Sequence, residues 1–316
     1  MTSPLAASLQ RVLITGAEGF VGRALAASLR AGVPQLHLIG TSRQPGGTAC
    51  HETIVLDLVS GDIRAALAAT RPEAVLHLAA RSSVAQGFSA AAETFDDNLT
   101  GTVRLARALR NECPGVPIIF ASSSEVYGKS FNLCCPVTEE TPPAPQNAYA
   151  RSKLAGEFAL TDLIGASNPL VILRLFNHFG PGQDERFVIP SFAGQLRRLS
   201  GQSGDRTISV GNLEAERDFL PVSDVIAAYQ AALALVTGGK PGVKLYNVAS
   251  GQGRSIRSIL DALIAASRLE VAVRIDPDRL RPSDIPRAVG DNARFRAETG
   301  WQSQADFQAA LAAMLA

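Results

Sequence analysis

Tyr149 and Lys153 stand four residues apart in a segment of helical character, so a helix would carry both on one face. A free tyrosine, with a pKa of about 10, is a poor acid or base near neutrality. An ammonium beside it stabilises the phenolate and lowers that pKa, which makes the pair a usable acid/base group. Tyr-x-x-x-Lys alone arises often by chance. Here it follows the run Phe120-Ala-Ser-Ser-Ser-Glu-Val-Tyr-Gly128, whose hydroxyls could hydrogen-bond the same substrate oxygen that Tyr149 protonates.

A second chemical feature is Thr15-Gly-Ala-Glu-Gly-Phe-Val-Gly22. Gly16 permits a tight turn, Gly19 lets the backbone approach a pyrophosphate, and Gly22 lets the next helix sit close to a sheet. The start of that helix offers free N–H groups and a partial positive charge to phosphates. Which dinucleotide fits depends on the end of the second strand. An acid there would accept from the ribose 2′-hydroxyl of NAD, but the chain reads Gly40-Thr-Ser-Arg43. Arg43, with Ser42 and Arg23, therefore favours the 2′-phosphate of NADP; the alternative is a solvated loop arginine. Asp57 reads either as an acceptor for the adenine amino group or as a plain turn acid.

The elements that must position these residues follow an alternating order. Strands are predicted at 11–15, 36–40, 53–56, 74–78, 117–121 and 170–174. Helices are predicted at 20–31, 62–70, 89–112 and 149–166. This βαβ alternation predicts an α/β fold, a Rossmann-type doubly wound parallel sheet over residues 1–176. After about residue 176 the strands shorten (207–210, 245–248, 271–275) and Gly/Pro-rich loops intervene. Residues 177–316 read as a smaller, mainly substrate-binding α/β region, with some later segments returning to the first.

Composition bounds the class. A 316-residue chain with 46% hydrophobic and 19% charged residues suits a globular enzyme with a sizeable core. A formal net charge of +1 gives no electrostatic reason to expect nucleic acid or an anionic membrane as partner. The N-terminus does not read as a secretory signal and no apolar run approaches a membrane span, so a cytoplasmic protein is expected. Four cysteines show no metal-binding spacing. The vicinal Cys134-Cys135 reads as two loop thiols, with a strained redox switch as the alternative.

TGAEGFVG, HLAARSSV (77–84), DNLTGT (97–102), FASSSEVYG and YARSK together resemble the extended short-chain dehydrogenases over essentially the whole chain. The resemblance implies a Ser123–Tyr149–Lys153 triad, with Asn98 supporting the lysine through a kink and water. It implies cofactor contacts from Gly16, Gly19, Phe20, Gly22, Ser42, Arg43, Asp57, Leu58, Leu78, Ala79 and Ala80. It implies substrate contacts from Ser124, Asn177, Arg186, Val188, Arg217, Asn247 and Arg281, with Arg217 and Arg281 as clamps for a diphosphate. FNHFGPGQDERFVIP, ERDFLPVSDV and YNVASGQ look most like the GDP-4-keto-6-deoxy-D-mannose reductases, which implies reduction by NADPH of a 4-keto sugar carried on GDP. Ser123-Ser-Glu125 instead is similar to the GDP-mannose 4,6-dehydratases, in which the glutamate removes a proton. A 4-epimerase and a non-catalytic NADP-binding regulator are the remaining readings. Family resemblance also implies a homodimer through a four-helix bundle built from 89–112 and 149–166.

Overall fold

The computed structural model describes residues 9–82, 90–134, 136–201, 206–280 and 285–316. Seven strands pair in parallel in the order β10-β6-β5-β4-β1-β2-β3. They are β1 (Arg11–Thr15), β2 (His37–Ser42), β3 (Glu52–Val55), β4 (Ala74–His77), β5 (Ile118–Ser123), β6 (Pro169–Leu175) and β10 (Gly242–Val248). The side chains of β4, β5 and β6 are buried on both faces, as continuous runs such as Ile118-Ile-Phe-Ala121 require.

One face is covered by α1 (Phe20–Gly32) and α7 (Val222–Val236), whose Leu25, Leu29, Ala228 and Leu233 meet Val12, Ile14 and Leu173. The other face carries α2 (Ile63–Thr70), α4 (Gly101–Glu112) and α5 (Ala148–Ile164), which bring Leu67, Leu105, Leu109 and Leu160 onto Leu13, Val75 and Phe120. Each large apolar side chain so buried contributes about 1.5–3 kcal/mol.

The expected continuous helix 89–112 is interrupted among the described residues. A short helix α3 (Ala91–Phe95) passes into a widened π-type turn, Asp96–Thr100, before α4 begins. Strand β5 runs two residues beyond its predicted end and so delivers Ser123 to the sheet's C-terminal edge.

A second sheet joins β7 (Asn177–Phe179), β9 (Glu216–Pro221), β11 (Gly253–Ser255) and β13 (Arg287–Ala288). Beside it lie a two-stranded pair, β8 (Thr207–Val210) with β12 (Ala272–Ile275), and helices α6 (Val188–Ser200) and α8 (Ile256–Ser267). Phe179, Phe192, Phe219, Ile259 and Leu263 form the core there. Among the described residues no helix is long and apolar enough to cross a membrane.

Candidate active site

Strand β1 ends at Thr15, and Gly16 turns the chain with φ +72° against the backbone of Ala79. A Cβ at Gly16 would lie 2.8 Å from Ala79 N, and one at Gly22 would lie 2.3 Å from the Gly16 carbonyl oxygen. The turn and the tight helix approach therefore both demand glycine. Helix α1 starts without a side-chain cap, with Gly19 in the capping position and no acid in the first turn. Its first N–H groups are thus left for an anion, and the loop fits the pyrophosphate of a dinucleotide. Phe20 stacks at 6.2 Å on His178 of β7, which joins this loop to the second sheet.

At the end of β2, Arg43 is exposed and pairs with Asp97 at 3.2 Å, and Arg81 reaches the same carboxylate at 2.5 Å. Two guanidinium groups against one acid leave a positive excess beside the loop. Ser42 Oγ accepts from the Gln44 N–H at 3.2 Å. Asp57 accepts from the Val59 N–H at 2.7 Å, the behaviour of a turn acid. The Leu58 carbonyl is held by Arg104 at 2.9 Å. Leu78, Ala79 and Ala80 follow β4, where the Leu78 and Ala79 N–H groups donate to Thr15.

Asn147 caps α5, its Oδ1 accepting from the Ala150 N–H at 2.8 Å. That helix carries Tyr149, Lys153 and Glu157 at successive four-residue steps. Half-buried Tyr149 is hydrogen-bonded to Ser123, and the Ser123 Oγ accepts from the Glu125 N–H at 3.2 Å. Burial pushes the Tyr149 phenol up to about 12; Ser123 opposes the rise and the Glu125 carboxylate adds to it. The lowering expected from Lys153 is not found. Buried Lys153 instead donates from Nζ to the Ala121 carbonyl at 2.7 Å, and burial pushes it down to about 7 against the pull of Glu157. Desolvation makes both groups favour their neutral form, so proton and charge do not separate between them.

Asn98 sits at the widened turn, which aims its amide Nδ2 at Ser152 Oγ (3.0 Å) and the Arg81 carbonyl (3.2 Å), while its Oδ1 accepts from the Arg81 N–H at 2.8 Å. The kink expected for Asn98 is present, and its side chain grips the residue before Lys153. The turn is itself anchored through buried His77. Thr15 Oγ1 lies 2.7 Å from its Nδ1, and Thr102 Oγ1, which donates to the Asn98 carbonyl, lies 2.9 Å from its Nε2. Burial drops His77 to about 3, so it remains a neutral linker.

Two residues here escaped the sequence reading. Glu157 and Arg174 form a fully buried pair (Nη2–Oε2 2.7 Å, Nε–Oε1 3.0 Å), and the guanidinium lies 4.8 Å over the Tyr127 ring. Burial opposes the Arg174 charge, but Glu157 holds it firmly cationic. The four-residue step from Lys153 was the one available sign of Glu157.

Of the expected substrate contacts, buried Ser124 lies in a tight turn next to Ser123. Asn177 begins β7, half-buried. Val188 opens α6, whose start has neither a side-chain cap nor an acid. Arg217 lies on β9, its Nη1 donating to the Glu216 carbonyl at 2.8 Å. Arg186 is exposed and closed onto Asp184 at 2.7 Å. Arg281 and Cys135 lie outside the described residues. Asn247 requires correction. It is fully buried, its Oδ1 accepts from the Tyr127 hydroxyl at 2.7 Å and its Nδ2 donates to the Val137 carbonyl at 3.1 Å, so it serves the core and burial shields it from a substrate.

The family model for GDP-mannose 4,6 dehydratase matches residues 13–314. The chain belongs to the GDP-mannose 4,6-dehydratase family. It is 35% identical to the GDP-6-deoxy-D-mannose reductase of Pseudomonas aeruginosa, across 97% of this chain and 96% of that one. It is 31% identical to the UDP-glucose 4-epimerase of Mycolicibacterium smegmatis, across 93% and 94% of the two chains. The solved structure of RMD from Pseudomonas aeruginosa complexed with NADPH superposes with a TM-score of 0.82 at 33% identity, covering 97% of both chains. Members of this GDP-mannose 4,6-dehydratase family and its epimerase relatives thus share one scaffold, on which local residues decide the reaction.

Proposed function

We propose that this chain reduces the C4 keto group of GDP-4-keto-6-deoxy-D-mannose with NADPH, giving GDP-D-rhamnose. The observation that carries this reading is the placing of Tyr149 and Lys153 on one helix with Tyr149 beside Ser123, in a chain 35% identical to a GDP-6-deoxy-D-mannose reductase over nearly its whole length. The glycine loop and Arg43 would hold NADPH, which when bound supplies hydride to the carbonyl carbon. Ser123 orients the substrate oxygen and Tyr149 gives it a proton. A phenol whose burial favours the protonated form suits a reaction that begins by reduction. Epimerisation begins by oxidation and needs the phenolate first. Lys153, down to about 7, gains and loses a proton readily at neutral pH and can reload the tyrosine.

Residues 1–176 supply most of the cofactor site, and 177–316 mainly the substrate site, where Asn177, Val188 and Arg217 take the nucleotide sugar. Arg281 joins Arg217 on the diphosphate. The working form is a cytoplasmic homodimer paired through α4 and α5, a reading supported by the exposed Phe158 on α5.

A dehydratase reading draws on Glu125, whose carboxylate acts on Tyr149 and lies 3.4 Å from the Asn147 amide. Incubation with each substrate separates the two. A reductase consumes NADPH stoichiometrically with the keto sugar and leaves GDP-mannose untouched. Keto sugar formed from GDP-mannose without added cofactor would assign the dehydratase instead.

A further inference from the structure

Arg254 is a residue to which the chemistry above gives no task. It lies on β11 directly opposite Arg217 of β9 in an antiparallel pair. Directly opposed residues share a face, and alternation puts Phe219 there as well. The parallel register of β7 on β9 sets Asn177 beside Phe219. Asn177, Arg217 and Arg254 therefore lie on one face of the second sheet.

Two guanidinium groups on one face of a strand pair can close on one anion. Arg254 carries a further sign. Its guanidinium packs 3.9 Å over the Phe307 ring, and Nη2 donates to Gln252 Oε1 at 2.8 Å. Its Nη1 is buried and has no hydrogen-bond partner. Among the described residues no carboxylate stands within ion-pair distance of it, and burial holds its affinity for a proton below the ordinary value, with Asp218 opposing. Arg174, which also has an unpartnered Nη1, is bound to Glu157 through its other two nitrogens. A charged N–H kept dry and unpaired is costly, and an anionic oxygen from a ligand removes that cost.

We propose that Arg254 and Arg217 form a two-guanidinium cradle for the diphosphate of the nucleotide sugar, with Arg254 Nη1 donating to a phosphoryl oxygen. This rests on the reading of Arg217 as a diphosphate clamp and adds to it a further arm from β11. The cation–π contact with Phe307 fixes the plane of the guanidinium, so little side-chain freedom is lost when the anion arrives.

Calorimetric titration of the intact protein with GDP and with inorganic pyrophosphate tests this. Arg254→Met keeps the stem packed on Phe307 and removes the donors. It is expected to weaken both probes roughly 10-fold or more and to raise KM for the keto sugar, with NADPH binding as in the wild type. Arg254→Lys keeps the charge but not the fork and is expected to fall between the two, which preserves the test if Arg254→Met melts early. Wild-type affinity for both probes in the Arg254 variants, with a loss in Arg217→Met, would overturn the cradle and leave the clamp without Arg254. Wild-type affinity in all three variants would overturn the diphosphate reading of this face as well. An equal loss of NADPH affinity would also overturn the proposal, because the effect would then be general.

Discussion

The Asn147 side chain reaches Glu125 with its Nδ2 at 3.4 Å while its Oδ1 caps the helix of Tyr149. One amide thus sets both the catalytic helix and the acid that a dehydratase would use. In a reduction Glu125 has no proton to remove. Glu125→Gln keeps the shape and the contact with Asn147, and the expected outcome is keto-sugar reduction within several-fold of wild type. Complete loss of NADPH oxidation in that variant would put Glu125 in the reaction.

Tyr149→Phe deletes the proton donor and its bond to Ser123 but little volume. We expect kcat to fall by about 10²–10⁴-fold, with NADPH affinity, read by fluorescence titration, nearly unchanged. Retained turnover would remove the tyrosine from its role.

Arg43 and Arg81 share the Asp97 carboxylate. Arg43→Ala should weaken NADPH about 10-fold or more while changing NADH little, because only NADPH carries the 2′-phosphate. Equal effects on the two cofactors would end the case for phosphate readout.

Glu157→Gln leaves Arg174 charged and dry beneath the sheet. Denaturant unfolding should report a loss of about 3–5 kcal/mol, the usual result of orphaning one member of a buried pair. A loss below about 1 kcal/mol, the range of exposed pairs, would mean that water reaches the guanidinium.

Lys153 titrates near 10.5 in the unfolded chain and near 7 in the fold. Between those values the unfolded chain holds a proton that the folded one has released, so this lysine makes stability rise with pH, and its burial penalty is complete below about 7. Tyr149, raised from 10.0 to about 12, acts with the opposite sign over that higher window. Lys153→Met should therefore have a Tm above wild type at about pH 6.5, with the gap narrowing toward about pH 9.5. A gap independent of pH would show that burial does not shift the lysine.

The strand–helix alternation, the glycine loop and the Tyr149/Lys153 step were legible because each is a local pattern. Gly16 and Gly22 are dictated by backbone contacts that any chain making this turn must meet. What escaped depends on partners far away in sequence. Asn247 resembles a substrate contact in YNVASG, yet Tyr127, 120 residues earlier, takes its carbonyl. The Arg217/Arg254 facing follows from the register of two strands joined across α7 and β10, and neither segment alone hints at it. The widened turn at Asp96–Thr100 was signalled only by the family resemblance of DNLTGT, and the His77–Thr102 bond beside it joins residues 25 apart.

Strand β10, Gly242–Val248, pairs along its whole length with β6, which ends at Leu175, and the second sheet's β7 and β9 are threaded between them. A nascent chain that has emerged only as far as β9 therefore presents β6 as an open parallel edge, backed by apolar side chains on both faces. That edge is a template for a neighbouring polypeptide until α7 and the seven residues of β10 have followed to close it. The first sheet is therefore not closed by residues 1–176 alone: a fragment stopping at residue 176 would carry the glycine loop and the tyrosine but leave the β6 edge unpaired.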